Sequence, residues 1–154
     1  MEASRRDRRD GVSLLLAATA ILALTWHAAS ASPVVTDEQL AKAAKMVRGV
    51  CQPKTGATDA QLDALASGIL GEEMEVKCYM GCLMATTRTI KNGKIDAKMM
   101  KMQAEKMMPP HRRDATIESL AACKDETGAD NCELAFNYLT CAKKFNPEKF
   151  FFPA

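Results

Sequence analysis

Beyond residue 33, the hydrophobic and polar positions show no convincing alternation with a period of two, so no β-strand is predicted. Helix starts are instead marked by "TDEQ" at 36–39 and "TDAQ" at 58–61, which have the form of a capping box, and by the looser "DNCE" at 130–133. Helix stops are marked by "PKTG" after Cys51 and by "KNGK", "PPH" and "TGAD" further along. The pattern therefore predicts six helices, near residues 36–50, 58–69, 72–90, 96–107, 112–126 and 130–144.

The third predicted helix carries apolar residues on more than one face. At 100° per residue, one stripe contains Val76, Met80, Leu83, Thr87 and Ile90. Cys78 and Cys82 lie on a roughly opposed face, with Thr89 beside them. A helix that is enclosed on several sides belongs at the centre of a small bundle, so we expect this one to be central.

The first 31 residues have the pattern of a secretory signal peptide. Four arginines in "MEASRRDRRD" precede an apolar stretch from Val12 to Trp26, and the small residues of "HAASAS" follow. The uninterrupted apolar part, 14–24, is shorter than the roughly 20 residues that span a bilayer. We predict cleavage after Ala31 and a secreted, extracellular domain at 32–154; the alternative is an N-terminal membrane anchor.

Removal of the signal peptide changes the charge balance. Four arginines and three acidic residues lie within 1–31, so the 21 basic and 19 acidic side chains of the whole chain become 17 and 16. A net charge near +1 provides no electrostatic surface for nucleic acid or for an anionic membrane, and stable membrane insertion is not expected. His111 becomes the only histidine, and Trp26, the only tryptophan, is lost.

All six cysteines remain in the secreted part, and their spacing disfavours a metal site. Structural zinc sites use paired short spacings, whereas Cys78 and Cys82 form one such pair and the others are spread singly. A thioredoxin-like redox pair would need Cys-x-x-Cys, which is absent. We therefore expect no metal, no cofactor and three disulfides, as is usual for a short secreted chain.

Helix geometry limits the disulfide pairing without determining it. Residues four apart on a helix have Cβ atoms about 5–6 Å apart, too far for a bridge between Cys78 and Cys82. Cys132 and Cys141 would be about 13 Å apart along one helix. Both local pairs are thus excluded, and the other pairings remain open.

The gaps between the six cysteines are 26, 3, 40, 8 and 8 residues. This spacing resembles the insect odorant-binding protein family, whose six-cysteine signature has the same three-residue second gap and eight-residue last gap. Within that family, "VRGVCQPKTGATDAQLD" and the ending "FFFP" are most similar to the alcohol-binding lush-like subgroup.

The resemblance implies an all-α fold, in which a compact bundle of about six helices is stapled by three disulfides around an apolar cavity. It implies the pairs Cys51–Cys82, Cys78–Cys132 and Cys123–Cys141. It also implies that the C-terminal tail, 145–154, forms a wall or lid over the cavity, with Phe151 and Phe152 as candidate ligand contacts. The alternative for these aromatic residues is a surface that mediates dimerisation.

Methionines and threonines of the third helix are further candidates for the pocket. Unbranched thioethers suit surfaces that accept varied apolar partners, although a single methionine more often fills a gap in the core. Met80, Met84 and Leu83 are the preferred apolar candidates, ahead of Met99 and Met102. Thr87 lies on the apolar stripe, whereas the lush-like resemblance points to Thr89, so both hydroxyls are candidates.

The sequence is thus interpreted as a secreted carrier of small hydrophobic ligands, such as odorants or pheromones, and not as an enzyme. An olfactory receptor and a second copy of the chain are candidate partners. One alternative is a small secreted enzyme, but His111 lies in the loop-like "PPHRRD" without a catalytic pattern. The other is a helical lipid-binding protein of saposin-like type, whose cysteines would be concentrated near both ends.

Overall fold

The computed structural model describes residues 35–153, and within them it contains the six predicted helices. The predicted signal peptide, 1–31, lies outside the described residues. The helices are α1 (Asp37–Thr55), α2 (Asp59–Ala66), α3 (Met74–Thr86), α4 (Ala97–Met107), α5 (Pro110–Cys123) and α6 (Asn131–Phe145). A short hairpin, β1 (Ile90–Lys91) and β2 (Lys94–Ile95), connects α3 to α4, and a 3-10 turn, Pro147–Lys149, follows α6.

The helix starts predicted at Thr36 and Thr58 are confirmed. Each is capped by a residue that is only three positions away, which is why the sequence pattern reveals it. At α1, Gln39 N–H donates to Thr36 Oγ1 at 3.2 Å, and Thr36 N–H donates to Gln39 Oε1 at 2.9 Å. The same reciprocal pair joins Thr58 and Gln61 at α2. These bonds satisfy donors that a helix start leaves without an intrahelical partner.

Two helix boundaries near prolines differ from the prediction. Helix α1 continues through Pro53 to Thr55 and is capped by Gly56, whose φ of 75° is left-handed and whose N–H donates to Gln52 O. The glycine of "PKTG", rather than its proline, therefore ends the helix. Helix α5 begins at Pro110 because a proline lacks the N–H that the first helical turn would leave unpaired. His111 consequently lies in the first turn of a helix and not in a loop.

The expectation that α3 runs to residue 90 and that the chain has no strands is wrong. Helix α3 ends at Thr86, and Arg88 adopts a left-handed φ of 59°. Asn92 and Gly93 also have positive φ and form the turn of the hairpin, a conformation that the Asn-Gly pair favours. Each strand has only two residues, too few to produce a visible alternation.

Three disulfides hold the bundle together, and two of them join α3 to other helices. The three are Cys51–Cys82, between α1 and α3, Cys78–Cys132, between α3 and α6, and Cys123–Cys141, between α5 and α6. These are the pairs that the family resemblance implies. Helix α3 is central as predicted, and its Val76, Tyr79 and Met80 are at most 1% exposed.

Helices α3 and α6 approach each other closely at Gly81. A Cβ atom at this position would lie 2.6 Å from the backbone oxygen of Asn131, at the start of α6. The absence of a side chain therefore allows the backbones to meet beside the Cys78–Cys132 disulfide. None of the helices between residues 35 and 153 has the length and apolar character needed to cross a membrane.

Candidate ligand cavity

A cavity of about 210 Å³ lies between five of the helices and the C-terminal tail. Its lining is mostly apolar and comes from α1, α3, α4, α5, α6 and residues 149–153. On α1, the lining side chains follow the spacing i, i+3, i+4, i+7 and are Leu40, Ala43, Ala44 and Val47. The sequence contains this stripe, but its residues were not among the predicted pocket residues.

The methionine wall of the cavity comes from both α3 and α4. Met84 lines the cavity next to Leu83, while Met80 is fully buried in the core and does not line it. On the other side, the lining methionines are Met100, Met107 and Met108. Met99 and Met102 are not part of the lining. Met100 and Met107 are seven residues apart and so lie on the same face of α4, which Met99 and Met102 do not share.

Thr87 and Thr89 come together at the cavity although only Thr87 adjoins the helix. Thr87 Oγ1 donates to Leu83 O at 2.9 Å, and Thr89 Oγ1 donates to Met84 O at 3.0 Å. The two hydroxyl oxygens are 3.2 Å apart. Thr89 is placed there by the turn after α3, because its N–H also donates to Met84 O at 2.8 Å. Both threonines therefore present oxygen lone pairs to the cavity.

Two hydroxyls that line the cavity lie close to methionine sulfurs, and one of them donates to the sulfur. Tyr138 donates to Met100 Sδ at 3.0 Å, and Thr116 is 3.4 Å from Met108 Sδ while it donates to Arg112 O at 2.9 Å. Burial raises the pKa of Tyr138 to about 12, so its hydroxyl keeps its proton at neutral pH. Neither hydroxyl was predicted from the sequence.

Ser119, on α5, contributes a further hydroxyl to the lining. Its side chain is 8% exposed, and it belongs with Thr89 to the few polar residues buried in the interior. A serine within a helix gives no sequence signal that separates a cavity position from a solvent-facing one.

The C-terminal tail forms one wall of the cavity. Phe152 is 3% exposed and lines the cavity together with Phe150, Phe151 and Pro153. The guanidinium of Arg112 lies over the Phe151 ring, 3.8 Å from its centroid. The predicted candidates Phe151 and Phe152 are therefore both placed at the cavity.

His111 lies apart from the cavity lining, at the start of α5. Its imidazole is 61% exposed, and its Nε2 is 3.5 Å from the Asp37 carboxylate. Arg112 Nε donates to the same carboxylate at 2.7 Å. Within residues 35–153, no three His, Cys, Asp or Glu side chains gather in a way that could hold a metal ion.

Comparisons with known proteins agree with this architecture. The chain matches the model of the PBP/GOBP family over residues 34–145. It is 37% identical over 121 residues to general odorant-binding protein 72 of Anopheles gambiae, across 77% of this chain and 99% of that protein. Among solved structures, Apis mellifera odorant binding protein 5 is 36% identical with a TM-score of 0.70, covering 78% of this chain and 99% of that one. Odorant binding protein 4 of Chrysopa pallens is 35% identical with a TM-score of 0.69, covering 78% and 100%.

Proposed function

The chain belongs to the PBP/GOBP family, and from that premise we propose that it carries small hydrophobic molecules, such as odorants or pheromones, through aqueous extracellular fluid. The observation that carries the proposal is the apolar cavity bounded by α1, α3, α4, α5, α6 and the tail. An apolar space of about 150 Å³ is enough to hold a benzene molecule. The space of about 210 Å³ seen here suits a compact volatile molecule.

The energetics of burial favour an apolar ligand. Removing about 200 Å² of apolar ligand surface from water contributes roughly 5 kcal/mol before the costs of association are counted. The methionine wall adds adaptability, because a thioether side chain has three rotatable bonds and adjusts its shape to its neighbour. A carrier with this lining would accept several related molecules.

Transport outside the cell is the second part of the proposal. The sequence pattern of 1–31 supports secretion, and disulfides persist in oxidising extracellular fluid. The tail, which lines the cavity through Phe151 and Phe152, serves as its lid. A receptor that accepts the loaded carrier, or a second copy of the chain, would be the macromolecular partner.

An enzyme is the less favoured function. His111, the only histidine of 32–154, is exposed and lies apart from the cavity lining. A His111→Ala variant is expected to bind ligand as the unaltered protein does. Loss of a measurable esterase activity in that variant would instead support the enzyme.

The direct test is displacement of an apolar fluorescent probe from the secreted form, 32–154, by a panel of volatile molecules. Tryptophan quenching cannot be used, because the only tryptophan is Trp26. Ala115, which lines the cavity and is 5% exposed, offers a variant that fills the space, Ala115→Leu. Its matched control is Ala121→Leu, at an exposed position of the same helix.

We expect the probe to bind, volatile molecules to displace it, and Ala115→Leu alone to weaken binding. The carrier proposal is wrong if no apolar probe binds. It is also wrong in its assignment of the cavity if Ala115→Leu binds as tightly as the control.

A further inference from the structure

We propose that the Ser119 hydroxyl orients the ligand, and that it selects neutral molecules with one hydroxyl or carbonyl oxygen on an otherwise apolar body. The inference rests on the proposed carrier function and assigns a specificity residue to that cavity. Ser119 lines the cavity from α5 and is 92% buried, that is, 8% exposed.

Among residues 35–153, no side chain or backbone group pairs with the Ser119 hydroxyl, and the hydroxyl oxygen is accessible. Within residues 35–153, the side-chain oxygens that are fully sealed without a hydrogen-bond partner belong to Tyr79 and Thr140. Ser119 has no hydrogen-bond partner within this part of the chain either, yet its oxygen is not one of the sealed atoms. Because the residue is buried and lines the cavity, we infer that its oxygen faces the cavity.

The other hydroxyls of the lining have already donated their protons. Thr87 and Thr89 donate to backbone carbonyls at the end of α3, and Thr116 donates to a carbonyl of α5. Tyr138 donates to the Met100 sulfur. A hydroxyl has one proton to donate, so Ser119 is the lining hydroxyl that keeps both its proton and its lone pairs for a ligand.

This arrangement favours a ligand that contains an oxygen atom over a hydrocarbon. A buried hydroxyl without a partner is unfavourable, and a ligand oxygen that pairs with it removes that cost. A carbonyl oxygen accepts from Ser119, and a ligand hydroxyl either accepts or donates. We expect a preference of about tenfold for an oxygenated molecule over a hydrocarbon of the same size.

A carboxylate is disfavoured at the same position. An ionised group that leaves water needs a charge partner, and the one cationic side chain in the described lining is Lys149. Lys149 is exposed and belongs to the tail, whereas Ser119 is buried on α5. A hydrogen bond to the buried Ser119 hydroxyl therefore suits a neutral ligand oxygen and not a carboxylate.

The test measures a ratio of affinities and not a single affinity. Heptanol, heptanal and octane have the same number of heavy atoms, and each is used to displace the apolar probe from the secreted form. Four proteins and one control are compared, and the four are the unaltered chain, Ser119→Ala, and the equal-volume pair Ser119→Thr and Ser119→Val. Ser67→Ala, at an exposed position, is the control, and thermal melting verifies that each variant is folded.

We expect Ser119→Ala and Ser119→Val to reduce the preference for heptanol and heptanal over octane by about tenfold, with octane binding retained. Ser119→Thr keeps the preference, because it keeps the hydroxyl at the volume of valine. An unchanged ratio in Ser119→Ala, or equal ratios in the threonine and valine variants, overturns the inference. If no ligand binds the unaltered chain, the carrier function itself fails, which is a different outcome.

Discussion

The guanidinium carbon of Arg112 lies 3.8 Å from the centroid of the Phe151 ring. The same side chain donates through Nε to Asp37 at 2.7 Å. One residue at the start of α5 therefore contacts both the C-terminal tail and the start of α1. Because the tail lines the cavity, the stability of this contact bears on how long a ligand stays bound.

Replacement of Arg112 by alanine should loosen the tail. A partly exposed cation–π contact contributes about 0.5–1 kcal/mol, so we expect ligand dissociation to accelerate by about two- to fivefold. Stopped-flow displacement of the bound probe measures this rate. The matched control is Arg113→Ala, which removes the neighbouring guanidinium and its ion pair with Asp114. Equal dissociation rates in the two variants would show that Arg112 does not hold the tail.

Removal of the C-terminal tail should weaken ligand binding more than the change Arg112→Ala does. Deletion of 148–154, or the single change Phe152→Ala, takes away a side chain that is 3% exposed and lines the cavity. We expect the dissociation constant for the probe to rise by about tenfold, because the ligand loses apolar contact and gains contact with water. Phe145→Ala, at a position that is 53% exposed, is the control. Unchanged affinity in the deletion variant would contradict the role of the tail as a wall.

The contact between Asp37 and Arg112 should persist under mild acid. The hydrogen bond from Arg112 holds the pKa of the Asp37 carboxyl below its ordinary value. A carboxyl with a lowered pKa stabilises the folded state above its unfolded-state pKa of about 3.9 and loses this contribution as the pH falls through the folded value. Asp37→Asn should therefore lower the melting temperature at pH ~7 and pH ~5 alike, and the difference should shrink as the pH falls below the unfolded-state value of about 3.9.

The control for this experiment is Asp125→Asn, which removes one charge from a side chain that is 86% exposed. A difference between Asp37→Asn and the unaltered chain that stays the same at every pH would mean that the ionic form of Asp37 does not matter.

Reduction of the disulfides should abolish most of the thermal stability. The bridges close loops with sequence separations of 31, 54 and 18 residues. In the chain-entropy description, each contributes roughly 3–4 kcal/mol, so the three together approach the whole net stability of a typical domain, about 5–15 kcal/mol. Calorimetry with and without reductant measures the effect. A reduced protein that melts at the unreduced temperature would refute this account.

Two glycine-to-alanine changes should have opposite effects on stability. At Gly81 a new Cβ would meet the Asn131 oxygen at 2.6 Å, so the backbones of α3 and α6 must separate, at a cost of about 1–3 kcal/mol. At Gly49, an exposed position of α1, nothing lies within 4 Å of the new atom. Alanine there should stabilise the helix by about 0.5–1 kcal/mol. Denaturant unfolding compares both variants, and a neutral Gly81→Ala would show that the close approach is not needed.

Sequence reasoning was most successful where the determinants are local. The caps at Thr36 and Thr58 use side chains three residues away, so their pattern is readable directly. The hairpin after α3 was missed because its strands have two residues each, although the Asn92-Gly93 pair is a hairpin signal in its own right. The prediction that α1 ends before Pro53 was wrong, because a proline near a helix end is tolerated when a glycine completes the cap.

The composition of the cavity wall depends on how the helices pack. Met80 and Met84 are one turn apart on α3, yet Met80 is in the core and Met84 lines the cavity. Their difference arises from the neighbours of the helix, which no pattern within α3 specifies. Ser119 is the clearest case, because the role proposed for it depends on the hydrogen bonds that the other lining residues have already made.

The three disulfides form one continuous covalent path from α1 through α3 and α6 to α5. As a result, a single proteolytic cut anywhere between Cys51 and Cys141 leaves two fragments that are still joined by at least one bridge. Helix α4 and its methionines lie wholly inside this interval, so a nick there does not release a piece of the cavity wall. In a fluid that contains proteases, only the ends of the chain can be trimmed away by one cut.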